Sequence, residues 1–273
     1  MKLNSIKYEK SDGVARIIKD NPPQYGMTLD VLLEMKKTLE DASNDEKISV
    51  IIISVGGEGF HMGAVVFGEV GDADWKLSPL EFREISQFAR DLFRYIETLE
   101  KPVIGVAKSG AVGGGFENLH ACDFVIASNN AKFSQPEVTL GLCTGWGGSQ
   151  RLTRMVGWRK AKELLLTGIE IDGKEAEKIG LITKAVPLEL VDKEVDNLCE
   201  RLKICAPVAW GYTKLAMNKV WETDHRTGLD FEVEAWGMVN SEREFNEDVF
   251  NDFLNGRQPK FKKRKKITSD WDK

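Results

Sequence analysis

Two acids and a glycine run carry the most specific chemistry in this chain. The segment Lys101-Pro-Val-Ile-Gly-Val-Ala-Lys-Ser-Gly-Ala-Val-Gly-Gly-Gly-Phe-Glu117 reads as a strand, a glycine-rich loop and the start of a helix. Amides in the first turn of a helix lack intrahelical acceptors and carry the positive end of the helix dipole. Gly113, Gly114 and Gly115 let a ligand approach that backbone closely. Such a place can hold a phosphate, or the oxyanion that develops as a carbonyl compound becomes an enolate. Two plainer readings stand beside it: the glycines serve close helix-to-strand packing, and Glu117 merely complements the dipole. The pattern is neither a dinucleotide fingerprint nor a P-loop, because the lysine and hydroxyl required after a P-loop glycine are absent.

The second acid lies in Ala131-Lys-Phe-Ser-Gln-Pro-Glu137, followed by Gly141 and by Gly145-Trp-Gly-Gly-Ser-Gln-Arg-Leu-Thr-Arg154. Pro136 fixes its own φ and restricts Gln135, so Glu137 is delivered from a stiff loop. By itself Glu137 could equally be an exposed loop acid.

These residues need a scaffold, and hydrophobic patterning supplies one. Residues 14–18 read as a short strand after the turn at Asp12-Gly13. Thr28 is placed to cap a helix whose apolar face is Val31, Leu32, Met35 and Leu39. Residues 49–54 form an apolar run suited to a strand buried on both faces. A long amphipathic helix starts at Pro79, carries Phe82, Ile85, Ala89, Leu92, Phe93, Ile96 and Leu99, and stops at Lys101-Pro102. Strands are expected over 103–107, 124–127 and 181–186. Residues 109–115 turn into a short helix, and further helices are expected over 147–156 and 159–167, with a short one between Asp172 and Gly180. Beyond Pro187 the pattern is helical, over 191–204, 208–221 and 229–240. This is an α/β core, residues 1–205, followed by a helical C-terminal region, residues 206–273, that ends in a basic tail.

Composition narrows the function classes. A chain of 273 residues can bury a full core. Its formal net charge of −5 argues against a protein built mainly to neutralise nucleic acid, despite the basic run Lys260-Phe-Lys-Lys-Arg-Lys-Lys266. Cys122, Cys143, Cys199 and Cys205 contain no CxxC pair and suit neither a zinc site nor a disulfide framework. With no apolar signal-like N-terminus and no bilayer-length apolar run, a soluble cytoplasmic protein is expected.

Taken together, the motifs closely resemble the enoyl-CoA hydratase/isomerase (crotonase) superfamily, from about Tyr8 to Phe261. The resemblance is carried by Lys101-Pro102-Val103, Gly113-Gly114-Gly115-Phe116-Glu117, Cys122-Asp123, Phe133-Ser134-Gln135-Pro136-Glu137, Gly147-Gly148-Ser149-Gln150-Arg151-Leu152, Gly180-Leu181-Ile182 and Val186-Pro187. It implies a spiral of repeated ββα turns with a helical C-terminal oligomerisation region, assembled as a homotrimer or homohexamer. It implies an acyl-CoA substrate, with coenzyme A arriving as part of that substrate and no metal or organic cofactor. The thioester oxygen would sit between the backbone amides of Ala64, in Phe60-His-Met-Gly-Ala64, and Gly114. Glu117 would orient and deprotonate a water, and Glu137 would supply the proton to Cα. Met62, Gly63, Gly113, Gly145 and Trp146 would line the substrate site. Phe261 would reach the coenzyme A of a neighbouring subunit. Hydration of a 2,3-enoyl-CoA is the leading expectation. A relative acting on an unusual, for example alicyclic, acyl-CoA is the alternative, and a non-catalytic acyl-CoA or RNA-binding relative is a further one.

The chain also departs from the family pattern. Val65 stands where an acid usually follows the first oxyanion donor, Tyr25-Gly26-Met27 replaces the usual Asn-Ala-Leu, and Cys143-Thr144-Gly145-Trp146 replaces Ile-Pro-Gly-Ala. Trp146 either reshapes the acyl pocket or packs outward in a subunit contact. Among the histidines, His61 either touches coenzyme A or is a plain loop residue. His120, three residues after Glu117 on the same side of the helix, either hydrogen-bonds near the site or is a buried packing residue, and His225 has no evident partner.

Overall fold

The computed structural model describes residues 2–22, 25–65, 77–241 and 247–261. Strands β1 (Ile6–Ser11) and β2 (Val14–Lys19) form a hairpin. Helix α1 (Leu29–Asn44) follows, with Thr28 Oγ1 accepting from the Val31 amide at 3.2 Å as its sequence position requires. Next come β3 (Val50–Val55) and α2 (Pro79–Thr98), whose start is fixed by a capping box between Ser78 and Glu81. Strands β4 (Val103–Ala107) and β5 (Gly110–Val112) lead into α3 (Gly114–His120). The chain continues through β6 (Phe124–Ser128), β7 (Lys132–Ser134) and a 3₁₀ turn, Glu137–Leu140. Then come α4 (Gly148–Val156), α5 (Trp158–Thr167), β8 (Ile171–Asp172), α6 (Gly173–Lys178) and β9 (Lys184–Val186). Helices α7 (Val191–Lys203), α8 (Pro207–Lys219), α9 (His225–Ser241) and α10 (Glu247–Leu254) complete the described chain. None of the helices among the described residues is long and apolar enough to cross a membrane.

Two sheets are stacked by this path. The larger has the order β1-β2-β3-β4-β6-β9 and is parallel except for the β1–β2 hairpin. The smaller has the order β5-β7-β8, and single bridges extend it: His61 pairs with Ala111, and Met27 with Ala64. After β3, β4 and β6 the chain enters the second layer at 61–64, β5 and β7 in turn, which is the ββα spiral expected from the sequence. The second layer thus lines up three successive loops: the one at Gly63-Ala64, the one at Gly113-Gly114, and the one at Glu137.

Continuous burial explains the central strands. Every residue of β4 is buried, as are all but Ser54 in β3, consistent with helices covering both faces. Phe93, Ile96, Met35, Leu39 and Ile53 pack into one core, while Phe116, Phe133, Leu152 and Leu164 fill another beneath the second layer. The last helices are tied to the core by a buried ion pair, Lys214 Nζ to Asp123 Oδ2 at 2.8 Å, with Lys214 also donating to Ile96 O. Removing one partner of such a pair typically costs about 3–5 kcal/mol.

The sequence expectations needed several corrections, and strands β5, β7 and β8 were not among the expected elements. Strand β1 was not expected; only Ile6 of its residues is buried, so it lacks the apolar alternation that marks a half-buried strand. The strand expected over 181–186 is confined to its last three residues. Helix α10 was not expected either. Glycine also does more internal work here than the motif suggested: a Cβ on Gly115 would stand 2.1 Å from His61 O. Gly115→Ala should therefore force the two layers apart and destabilise the fold by about 1–3 kcal/mol, read as a lower urea midpoint at unchanged m.

Candidate active site

Glu117 lies in the first turn of α3 and is 2% exposed. Its Oε1 accepts from two backbone amides of the loop before α4: Trp146 N–H at 2.9 Å and Gly148 N–H at 2.7 Å. Glycine at 148 permits this approach, since a Cβ there would sit 3.0 Å from the same carboxylate oxygen. Burial pushes the Glu117 carboxyl up to about 7, opposed by the two amides and by the Arg151 charge, while nearby Glu137 adds to the rise.

Glu137 opens the 3₁₀ turn directly after Pro136 and is half-buried. Its carboxyl lies over Gly113, where a Cβ would stand 3.1 Å from Oε1. Gly113 has φ +51° and its amide donates to Ser134 O at 3.1 Å, so the turn into α3 is built around a residue without a side chain. In the orientation that satisfies both ends of its amide, Gln135 donates to Glu137 Oε1 at 3.1 Å and to Gly113 O at 3.3 Å. Burial raises the Glu137 carboxyl above its ordinary range.

Two amides lie close together beside this glycine turn. Gly114 N is the first amide of α3 and has no intrahelical acceptor. The Met27–Ala64 bridge is made by Met27 N to Gly63 O (3.0 Å) and Val65 N to Met27 O (3.3 Å). In a parallel bridge of this kind the Ala64 N–H itself points the other way, toward Gly114. The two are close: Ala64 N lies 3.3 Å from where a Gly114 Cβ would stand, and Gly114 N lies 3.2 Å from the equivalent position on Gly63.

The glycine triplet divides its labour, which corrects the idea that all three open the backbone to a ligand. A Cβ on Gly114 would lie 2.4 Å from the Trp146 ring, and the Gly115 space belongs to His61 O. Of the three, only Gly113 has an acid, Glu137, beside its Cα. Trp146 is 4% exposed and meets Phe93 edge-on at 5.9 Å, so it is core packing against the donor glycine and not an outward indole. Gly145, beside it, is exposed.

Other expected residues fall where geometry, not motif, decides. Met62 is exposed at the rim and Gly63 is half-buried. His61 is fully buried with Nε2 against Val106 O at 2.7 Å, so it is not a coenzyme A contact. His120 is buried and packs at a tilt of 49° against Phe116, with ring centroids 4.2 Å apart. Phe261 is not brought to the acids within one chain. It lines a separate cavity of about 550 Å³ with Trp210, Pro207, Ile204 and Pro102. Residues 262–266 of the basic run lie outside the described residues.

Two residues without an expected role stand behind the site. Arg151 is buried, donates to Trp146 O at 2.8 Å and pairs through Nε with Glu97 of α2. The sequence offered a faint signal for each: Arg151 belongs to the matched Gly147–Leu152 string, and Glu97 adjoins Ile96 on an otherwise apolar helix face. The departures at 26 and 65 prove to be one feature, since an alanine Cβ at 26 would stand 2.2 Å from Val65 Cγ2.

A buried acid, Glu117, and a half-buried one, Glu137, thus stand beside a glycine turn on a ββα spiral. A family model for enoyl-CoA hydratase/isomerase matches residues 9–264, and the chain belongs to that family. It is similar to a short-chain-enoyl-CoA hydratase of Clostridium acetobutylicum, 36% identical over 94% of this chain and 97% of the relative. A crotonyl-CoA hydratase of Syntrophomonas wolfei is 35% identical over 96% and 99%. The crystal structure of an enoyl-CoA hydratase from Bacillus anthracis superposes with a TM-score of 0.84 at 28% identity, covering 96% of this chain and all of that one.

The raised Glu117 carboxyl has a stability consequence. From an ordinary value of 4.5 to about 7, the folded state holds a proton that the unfolded chain has released, so stability falls as pH rises through that window. The loss levels off above it, at about 3 kcal/mol. Glu117→Gln should match the parent near pH 4.5 and be more stable at pH 8 by up to about that amount, read from urea midpoints.

Proposed function

We propose that this chain is an enoyl-CoA hydratase, adding water across the 2,3 double bond of an acyl-CoA thioester. The observation that carries the reading is the pairing of two desolvated acids beside the amides of Ala64 and Gly114. In this mechanism the two amides hold the thioester oxygen as it gains charge. Hydrogen bonds placed where charge develops stabilise the transition state more than the ground state; losing one such donor typically costs about 10²–10³ in rate.

The acids differ in a way that assigns their roles. Burial holds the Glu117 carboxyl up to about 7 while the two amides and the Arg151 charge favour its ionised form, so above that pH Glu117 is the carboxylate suited to take a proton from water. Glu117 then orients and deprotonates the water that adds to Cβ, with Oε2 turned to it because Oε1 is held by the protein. Glu137 keeps its proton and delivers it to Cα of the enolate. The thioester carbonyl is restored, and the two acids have exchanged one proton through the product. Coenzyme A enters and leaves with the substrate, and no metal or organic cofactor takes part. Trp146 and Val65, packed beside the donor amides, bear on the acyl group. A ring thioester in place of a straight chain is the second reading they favour.

The direct test is turnover of crotonyl-CoA, followed by the loss of thioester–alkene absorbance. Glu117→Gln and Glu137→Gln should each lower kcat by about 10²-fold or more while acyl-CoA binding persists. Full activity in either variant sinks the mechanism, and better turnover of alicyclic enoyl-CoA thioesters selects the second reading.

Assembly as a homotrimer or homohexamer belongs to the same proposal, with residues 206–273 as the oligomerisation region. Helices α8 to α10 leave Met217, Val220, Val233, Trp236 and Phe253 exposed, apolar side chains that a subunit contact would cover. Four free cysteines suit a reducing compartment such as the cytoplasm. Sedimentation equilibrium at micromolar concentration should give three or six chains, and a monomer would overturn this part.

A further inference from the structure

We propose that the buried Arg151–Glu97 pair is a positioning element for Glu117, with Arg151 clamping the Trp146 peptide and setting the charge state of the acid behind it. The inference rests on the hydration reading for its catalytic meaning, but not for its physical content.

The geometry is a short relay. Glu117 Oε1 is held by the amides of Trp146 and Gly148. The carbonyl of the same Trp146 accepts from Arg151 Nη1 at 2.8 Å, and Arg151 Nε is held by Glu97 Oε1. Trp146 is therefore gripped at both ends of its backbone, its N–H by the acid and its C=O by the guanidinium. Gly147, at φ +118°, lies between, and a Cβ there would fall within 1.9 Å of Arg151 Nη1. The loop backbone is shaped around the arginine. Glu97 is held in turn: Asn218 of α8 donates to its carbonyl at 2.8 Å, and Arg94 approaches its other carboxylate oxygen at 3.3 Å.

Arginine is suited to this place. Its planar fork serves two acceptors in fixed directions, and it stays charged when buried. The charged and titratable groups around Glu117 are few among the described residues. Glu137 faces it from the 3₁₀ turn, Arg151 from α4, and His120 shares its helix, while Glu97 on α2 lies behind Arg151. His120 is buried with neither ring nitrogen partnered, and burial together with the Arg151 charge depresses it to about 3, which leaves it neutral. Arg151 is thus the cation that offsets the repulsion between the two acids. Glu97 moderates that cation, so the pair tunes Glu117 from both directions.

Opposite-signed responses distinguish tuning from mere packing. The probe is the side-chain carboxyl ¹³C resonance of Glu117 in glutamate-labelled protein, assigned by its loss in Glu117→Gln and titrated without substrate. Arg151→Met should move the Glu117 midpoint up by about one pH unit, and Glu97→Gln should move it down. Arg151→Lys should restore the midpoint toward that of the parent, since it keeps the charge, while kcat stays low because a point-like ammonium does not reproduce the planar fork that sends Nη1 to Trp146 O and Nε to Glu97. Midpoints that do not move, or that move in the same direction in Arg151→Met and Glu97→Gln, overturn the proposal. Should Arg151→Met fail to fold, Glu97→Gln decides alone: a downward shift supports the inference, and an unchanged or upward one overturns it. Crotonyl-CoA turnover by the parent protein tests the hydration reading separately, because the titration uses no substrate.

Discussion

A carboxylate taken out of water must be given hydrogen bonds or lose its charge, and Glu117 is given two, both on one oxygen and both from backbone. That arrangement constrains much of what surrounds it. The loop before α4 has to bring the amides of Trp146 and Gly148 to the same point, which requires glycine at 147 and 148 and a fixed peptide at 146. Fixing that peptide recruits Arg151, and the guanidinium recruits Glu97 from α2. Helix α2 is held in turn by α8 through Asn218 and Lys214. A requirement that begins at one oxygen atom thus extends from the second layer to the C-terminal helices.

The donor amides are organised by a different economy. Their positions come from bridges, Met27 with Ala64 and His61 with Ala111, too short to be read as strands yet enough to set which way each N–H points. Side chains are excluded from this region so that protein can fill it. The Trp146 ring and the His61 carbonyl occupy the spaces left at Gly114 and Gly115, holding the two amides against each other without a polar side chain. The relative position of these two amides is a matter of packing density.

The long elements were legible in the sequence because burial repeats along them. Thr28, Pro79 and Asp172 marked helix starts, and β3 and β4 were plain as unbroken apolar runs. The acids and glycines were legible through their motif strings. Strand β1 was not, being a polar edge with one buried residue, nor were β7 and β8, which are three and two residues long and carry no periodicity. The pairing of Glu97 with Arg151 joins positions on two helices far apart in the chain, and charge patterning within one helix carries no record of such a partner. Trp146 illustrates the same limit: its neighbours in sequence are glycines and suggest exposure, whereas its neighbours in space are Phe93 and Gly114.

Gly26 and Val65 constrain each other. Valine is stiff about χ1, and an alanine Cβ at 26 would meet both its Cγ2, at 2.2 Å, and its Cβ, at 3.0 Å. A chain holding alanine at 26 has no room for valine at 65, whereas a chain holding glycine at 26 accepts either a small or a branched neighbour. Glycine at 26 and valine at 65 are thus fitted to each other, and an alanine at 26 would require Val65 or the backbone beside Ala64 to shift.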